Sequence, residues 1–513
     1  MYKRRRGQMN ALEAPIFFSG VKLDPSNEWV KMVELISWET LEEAYAESFG
    51  ESTTGNPAKP VRMAVGTLII KERYRMSDED VVKEIRMNPY LQYFIGLPGF
   101  THEAPFDASA ITRFRKRVTP DMLAEANDRI IGRERKKQDK TAPPQEPPPS
   151  DGDGAPGGEK TSEKKAGTQA EADTNEGTLI LDATCAPQDI RYPTDISLLN
   201  EAREKLEKII DTLHEGAAEK GKKPRTYRRC ARRDYLRYAR NRKPKRKQLR
   251  KALRQQLGYV SRDLTHIDRM IEQHPDALSK RQAEHLETIR TLYKQQKEMY
   301  DKATHSVADR IVSISQPYVR PIVRGKPAKP VEFGAKIEVS LVNGYARIEK
   351  LSWDAFNESG TLQESVERFK AATGKYPARI LADKIFRTRD NLAYCKGHNI
   401  RMNGPKLGRP PKDPAVHREQ LQMERKESGE RSEIEGAFGV GKRRYTLRCV
   451  MTRLQHTSEV SIHVSLLTMN LFRKLRFLFC FFCQLLSAKF YGHFSFASCS
   501  FSPLWCRSSI ICS

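Results

Sequence analysis

Residues 333–353, FGAKIEVSLVNGYARIEKLSW, restrict the fold more than any other stretch of the chain. Ile337, Val339 and Leu341 alternate with polar residues, which is the period of a strand with one buried face. Asn343-Gly344 then supplies the two left-handed residues of a tight turn, and a second strand follows. A hairpin of this length needs a partner surface, so a sheet is expected, with other strands beside it. TLILDAT (178–184) reads as a buried strand ending on Asp182, and ARILAD (378–383) as another ending on Asp383. GHNIRMNG (397–404) gives one more short strand. Between hairpin and second acidic strand, TLQESVERFKAATGKYP reads as a helix with Leu362, Val366 and Phe369 on one face and Gly374 at its end. A last helical segment carries Glu435. The expected fold is α/β: a mixed sheet flanked by helices.

Residues 60–132 read as helices. Ser77 stands three residues before Asp80 as a cap, and Pro120 opens a later helix. Residues 136–177 are rich in Pro, Gly, Glu and Lys and have little to bury, so they read as a disordered linker. Residues 198–303 are helical and very basic: 221–260 hold 17 Lys and Arg against one acid, Asp234, with Tyr227, Tyr235 and Tyr238 interleaved. So one-signed a run repels itself unless it meets phosphates. The tyrosines could stack on bases or pack between helices. The whole chain has a formal charge of +25, which points to nucleic acid first and an anionic membrane surface second. RFRKR (113–117) places Arg113, Arg115, Lys116 and Arg117 on one helix, either as a solvated face or as a phosphate-contacting one.

The nine cysteines are odd in number, the first four scattered singly, and the start MYKRRRGQMNALEAP lacks an apolar segment. A reducing compartment without a disulfide framework is expected. Cys480 and Cys483 form a lone CxxC, a weak zinc signal. The apolar run FLFCFFCQLL is too short to span a bilayer, which takes about 20 residues.

Three acids stand out. Two-metal phosphoryl chemistry needs carboxylates converging on two hard cations about 4 Å apart, and strand ends hold carboxylates well. Asp182 and Asp383 sit at such ends, and Glu435 lies in RSEIEGAFGVGKRRY (431–445) among Arg431, Lys442, Arg443 and Arg444. On an unbroken helix Arg431, Glu435 and Lys442 approach one face. Arg431 could then clamp a phosphate and Lys442 place a point charge on it. Gly436, Gly439 and Gly441 are poor helix formers, so a break before Lys442 is expected to threaten that alignment. Taken singly, Asp182 could cap a loop, Asp383 a helix, and Glu435 could be a surface ion pair worth under about 1 kcal/mol.

LDATCAPQDIRYPTD, LADKIFRTRDNLAYCKGHNIRMNGPKLGR and RSEIEGAFGVGKRRYTLRCV together resemble bacterial insertion-sequence transposases of the DDE class. PVRMAVGTLIIKERYRMSDEDVVKEIRMNPYLQYFIGLPGF resembles the N-terminal transposase domain of the same group. The resemblance covers roughly residues 15–476 apart from the linker. It implies an RNase H-like core in which Asp182, Asp383 and Glu435 are catalytic and hold two Mg²⁺ ions, with Mn²⁺ able to substitute. Arg431 and Lys442 match the Arg and Lys of the Tyr-x2-Arg-x3-Glu-x6-Lys signature, while Ser428 stands where the Tyr belongs. The domains this implies are a helical DNA-binding region at 1–135, the linker, a core from 178–197 and 305–476, and a basic helical insertion at 198–304. The tail 477–513 has no assigned role. The implied activity is cutting at terminal inverted repeats and joining the ends to target DNA. Double-stranded DNA is the partner, a homo-oligomer the working form, no membrane is involved, and the bacterial cytoplasm and its nucleoid are the location. An RNase H-like nuclease or resolvase, a cleavage-dead relative, and a non-enzymatic basic binding protein are the alternatives.

Overall fold

The computed structural model describes residues 17–18, 21–49, 57–132, 175–216, 222–273, 277–326, 329–405 and 413–490. Most of the expected linker, and the tail beyond 490, lie outside the described residues. So do the side chains of 479–490, Cys480 and Cys483 among them.

The N-terminal part opens on a small antiparallel pair, β1 (Phe17–Phe18) and β2 (Val21–Lys22), so it is not purely helical. Seven helices follow: α1 (Glu28–Leu35), α2 (Trp38–Glu47), α3 (Val61–Tyr74), α4 (Asp78–Met87), α5 (Pro89–Phe94), α6 (Ser109–Arg117) and α7 (Pro120–Ile130). The caps are the expected ones. The Ser77 hydroxyl accepts from the Asp80 N–H, and Pro120 sits in the first turn of α7 behind Thr119. Trp29, Ile69, Phe94 and Phe114 anchor the core of these helices.

One mixed sheet holds the remaining strands. These are β3 (Thr178–Pro187), β4 (Arg320–Lys326), β5 (Lys329–Val342), β6 (Tyr345–Ser352), β7 (Arg379–Ala382) and β8 (Arg401–Met402). The order runs β5, β3, β7, β8, with β4 on the first part of β5 and β6 on its second part. β5 is antiparallel to β3, β4 and β6, whereas β3, β7 and β8 run parallel. β4 is a strand that sequence periodicity did not suggest. The β5–β6 hairpin turns on Asn343 (φ 52°) and Gly344 (φ 80°), with Val342 opposite Tyr345. Glycine suits the second position because its φ of 80° is strained for a residue with a Cβ.

Alternation along the strands divides the sheet into two faces. Ile180, Ile337, Val339 and Leu381 face α14 (Pro414–Arg444) and α15 (Gln455–Phe490). Leu179, Leu181, Ile380 and Ala382 face α12 (Leu362–Thr373) and α13 (Arg389–Gly397). Between β3 and β4 the chain makes α8 (Asp195–Gly216), α9 (Arg228–Ala239), α10 (Arg246–Gln273) and α11 (Lys280–Lys302). These helices bury a core of their own, with Leu206, Ile210, Val260, Ile267 and Ile289 inside.

Two features depart from the sequence reading. α14 runs unbroken through Gly436, Gly439 and Gly441. Burial of Ile434 against the sheet outweighs the weak propensity of those glycines. Gly441 also has a packing reason, because a Cβ there would meet Leu447 at 2.7 Å. Secondly, α15 serves two cores. Ile462 and Leu466 pack under the sheet, while Val460, Leu467 and Phe472 complete the N-terminal core.

Candidate active site

β3 and β7 pair in parallel register from Thr178↔Arg379 to Leu181↔Ala382. The next residues are Asp182 and Asp383: Asp383 directly follows β7, but Asp182 is mid-strand and not at a strand end as expected, because β3 continues along β5 to Pro187. By alternation they belong to the face of Ile180 and Leu381, the face that α14 covers. α14 is tied across this part of the sheet by Glu427 to Arg401 of β8 (2.6 Å), Glu430 to Arg379 of β7 (2.8 Å) and Arg431 to Asp182 of β3 (3.7 Å). One turn on, Arg431 also reaches the Glu435 carboxylate at 3.5 Å. Arg431 thus stands between the strand acid and the helix acid.

The three carboxylates have different surroundings. Asp182 is partly buried, and burial pushes its carboxyl up to about 6. The Ala183 N–H and Arg431 pull it back down, and the charges of Glu358 and Asp383 raise it further. Asp383 is exposed and accepts from the Lys384 N–H at 2.8 Å, capping the short 3-10 turn Lys384–Phe386. The capping role considered for it is therefore real, and leaves carboxylate lone pairs for a ligand. Glu435 is exposed, 59% by side chain, so its pair with Arg431 is weak by itself.

The donors suit a hard cation. Carboxylate oxygens match Mg²⁺, which keeps most of its waters and takes only one or two carboxylates from a protein. Asp182 and Asp383 fit that demand. Among the described residues no three His, Cys, Asp or Glu side chains are gathered as closely as a complete ligand cluster would require. Arg431 occupies the space between Asp182 and Glu435.

The remaining basic candidates divide into groups. Lys442, Arg443 and Arg444 form the last turn of α14, with Arg443 and Arg444 exposed. Arg113, Arg115, Lys116 and Arg117 lie on α6 in the N-terminal part. Arg115 makes two hydrogen bonds to Asp78, one of 3.0 Å, and Arg117 donates to the Ser48 carbonyl at 2.8 Å and covers the Phe49 ring. Arg113 and Lys116 remain exposed.

Sequence reasoning missed several supporting residues. Asn403 accepts from the Ala382 N–H at 2.9 Å and donates to its carbonyl at 3.1 Å, so a side-chain amide holds the backbone just before Asp383. An Asn directly after a short strand is the available signal. Glu358, paired to Lys336 at 2.9 Å, adds negative charge near Asp182. Glu72 of α3 accepts from the Thr446 N–H (2.6 Å) and the Ser465 hydroxyl (2.5 Å). Beside it, Arg75 donates to the Arg443 carbonyl at 3.1 Å. The N-terminal helices thereby grip the end of α14. No local pattern announces these long-range contacts.

Comparison with known proteins agrees with this picture. Residues 380–472 match the family described as Transposase DDE domain, a span that includes Asp383 and Glu435. Residues 20–117 match Transposase domain (DUF772). The resemblance to insertion-sequence DDE transposases is thus carried by two separate parts of the chain. The chain is also 38% identical over 103 residues to an uncharacterized protein, ORF8 of the nfe locus in Rhizobium meliloti. That stretch is 20% of this chain and 49% of the relative, so the chain spans about half the length of the curated protein it matches. No solved structure matches the chain. Among the described residues no helix is long and apolar enough to cross a membrane.

Proposed function

We propose that the protein is the DNA transposase of an insertion sequence, cutting DNA at terminal inverted repeats and transferring the ends to target DNA. The observation that carries this reading is the placement of Asp182 and Asp383 directly after the last paired residues of two neighbouring parallel strands, beneath the helix that bears Arg431 and Glu435. The strand order β6, β5, β3, β7, β8, with the first three antiparallel, supports an RNase H-like core at 178–197 and 305–476. In this reading 1–135 is the DNA-binding transposase domain and 198–304 an insertion.

Asp182, Asp383 and Glu435 would hold two Mg²⁺ ions, or Mn²⁺ in their place, which when bound would activate the attacking oxygen and stabilise the leaving one. The chain's own groups do the rest by position and charge. The sheet fixes the two aspartates, with Asn403 holding the backbone before Asp383. Arg431 has five N–H donors and spends few on Asp182 and Glu435, so it can also grip a phosphate oxygen. Lys442, two helical turns beyond Glu435, and the exposed Arg443 and Arg444 place further positive charge along the strand. Two element ends must be held together, so the working form is a homo-oligomer on double-stranded DNA.

The test is a supercoiled plasmid carrying the gene with its native flanks, incubated with protein and Mg²⁺ or Mn²⁺, with breaks mapped. Breaks at the element ends that vanish in Asp383→Asn support the reading. Breaks scattered without regard to the ends support the nuclease alternative. Tight binding with no breaks from either protein supports a binding-only relative.

A further inference from the structure

The insertion between β3 and β4 carries an excess of charge that its own fold does not use. Of the 17 Lys and Arg in residues 221–260, only Lys223, Arg228 and Arg237 reach a carboxylate of the described residues within 4.0 Å. Asp234, the single acid of the stretch, is turned inward. It accepts from the Tyr259 hydroxyl at 2.9 Å, and its side chain is 12% exposed. The apolar residues Ala231, Leu257 and Val260 are buried, so what α9 and the start of α10 present outward is mostly cationic, with Leu236 the exposed large aliphatic residue. Arg229 and Arg233 stand one turn apart on α9 with Arg240 at its C-cap, and Arg246, Arg250 and Arg254 stand one turn apart on α10, all exposed.

We infer that α9 and the N-terminal half of α10 form a dedicated arm that grips the phosphate backbone of double-stranded DNA without reading its sequence, apart from the carboxylate site. This rests on the DNA-acting reading above and adds a second contact surface to it. Charge complementarity selects a polyanion. An anionic membrane fits poorly, because interfacial helices bury a broad apolar face in the lipid, whereas Leu257 and Val260 of α10 are buried in protein and α9 exposes a single large aliphatic side chain, Leu236. Single strands fit less well, because Tyr227, the exposed one of the three interleaved tyrosines, already has its ring occupied. The Tyr227 ring is covered by the guanidinium groups of Arg225 (5.2 Å) and Arg262 (4.7 Å), and the Tyr235 hydroxyl accepts from Arg191 at 3.3 Å. A duplex backbone asks only for spaced cations.

The test compares two full-length variants with equal loss of charge. One carries Arg229→Gln, Arg233→Gln and Arg246→Gln in the arm. The other carries Arg290→Gln, Lys297→Gln and Lys302→Gln on α11, where each cation is paired to an acid at 2.6–2.9 Å. Binding to a generic duplex of arbitrary sequence is measured against salt in EDTA, beside a single strand of equal length and phosphatidylserine vesicles. Removing one cation from a phosphate lowers the slope of log K against log salt by about 0.9 and costs about eightfold at 0.1 M salt. The arm variant is expected to lose about 100-fold or more and to show a slope smaller by about 2–3, with the control within about threefold of the parent. Circular dichroism and melting confirm that both variants are folded, since every changed residue is a surface cation. Unchanged duplex binding by the arm variant overturns the inference, as does an equal loss in the control. Tighter binding to the single strand or the vesicles than to the duplex overturns it in favour of that partner. Because the binding needs no metal, an absence of plasmid cleavage does not alter the outcome. A parent that binds no duplex at all contradicts both this inference and the transposase reading.

Discussion

Two basic helices of similar sequence character have different fates. On α6, RFRKR crowds four cations into five residues, yet Arg115 is held by Asp78 and Arg117 by the Ser48 carbonyl and the Phe49 ring. On α9 and the start of α10 most cations meet no acid among the described residues, and the lone Asp234 faces inward. Arg115 and Arg117 stitch the N-terminal helices together, while the second group is the one we assign to an outside polyanion. A charge run in a sequence does not say which case applies, because Asp78 is 37 residues away from Arg115 along the chain.

The two regions also differ in how they treat buried acids, which gives the largest expected effects on stability. Glu72, in the N-terminal part, is buried with its oxygens accepting from Thr446 and Ser465. Glu72→Ala strands those donors and loosens the grip on the end of α14. A loss of about 2–4 kcal/mol is expected by denaturant unfolding, with hydrogen exchange rising first in residues 440–448. A loss within 0.5 kcal/mol, a margin about the scatter of neutral surface changes, would refute this clasp.

In the insertion, Asp263 is fully buried and both of its oxygens lack a hydrogen-bond donor. Burial pushes its carboxyl up to about 7, with Glu207 adding to the rise and Arg203 opposing it. The folded state therefore holds a proton there that the unfolded chain releases near pH 4. Stability of the insertion falls as pH rises from about 4 to about 7 and stays reduced above that. Asp263→Asn should flatten this dependence and stabilise the insertion at pH 8 by on the order of 1–3 kcal/mol, read by hydrogen exchange in α8 and α10.

Asp78 behaves in the opposite sense. Burial alone would raise its carboxyl, but the hydrogen bonds and charges of Arg115 and Lys71 hold it below the usual carboxylate range. That contribution is complete above the unfolded value near 4 and fades as the pH falls further. Asp78→Asn is expected to cost about 1–2 kcal/mol at pH 7 and less at pH 3. The contrast between Asp78 and Asp263 breaks if both acids respond to pH in the same direction.

The smallest effect is at single arm residues. Arg233→Gln should change stability by under about 0.5 kcal/mol while lowering the salt slope of duplex binding by about 0.9. Arg115→Gln should do the reverse, lowering stability and leaving the slope close to that of the parent. A matching slope change in both would erase the distinction between stitching and binding cations.

Much of the architecture could be read from local pattern. Asn343-Gly344 forms the expected tight turn, Gly374 ends α12 in a left-handed conformation, and Ser77 caps α4. Asp383 directly follows β7 as expected, whereas Asp182 lies in the middle of β3, because pairing with β5 carries that strand on to Pro187. What stayed hidden depends on partners distant in sequence. The continuity of α14 through three glycines comes from packing on the sheet, not from propensity. The grip of Glu72 on Thr446 spans 374 residues, and the joining of α15 to the N-terminal core could not be seen from either segment alone. The approach of Arg431 to Asp182 required the register of β3 on β7 as well as the path of α14.

The most direct measurement is plasmid cleavage at the element ends by the parent protein and by Asp383→Asn, with DNA binding followed in parallel. Metal-dependent breaks at the ends are expected from the parent and none from the variant, with equal binding by both. Breaks that persist in Asp383→Asn would contradict the catalytic assignment, and would leave Asp383 as no more than the cap of the turn it begins.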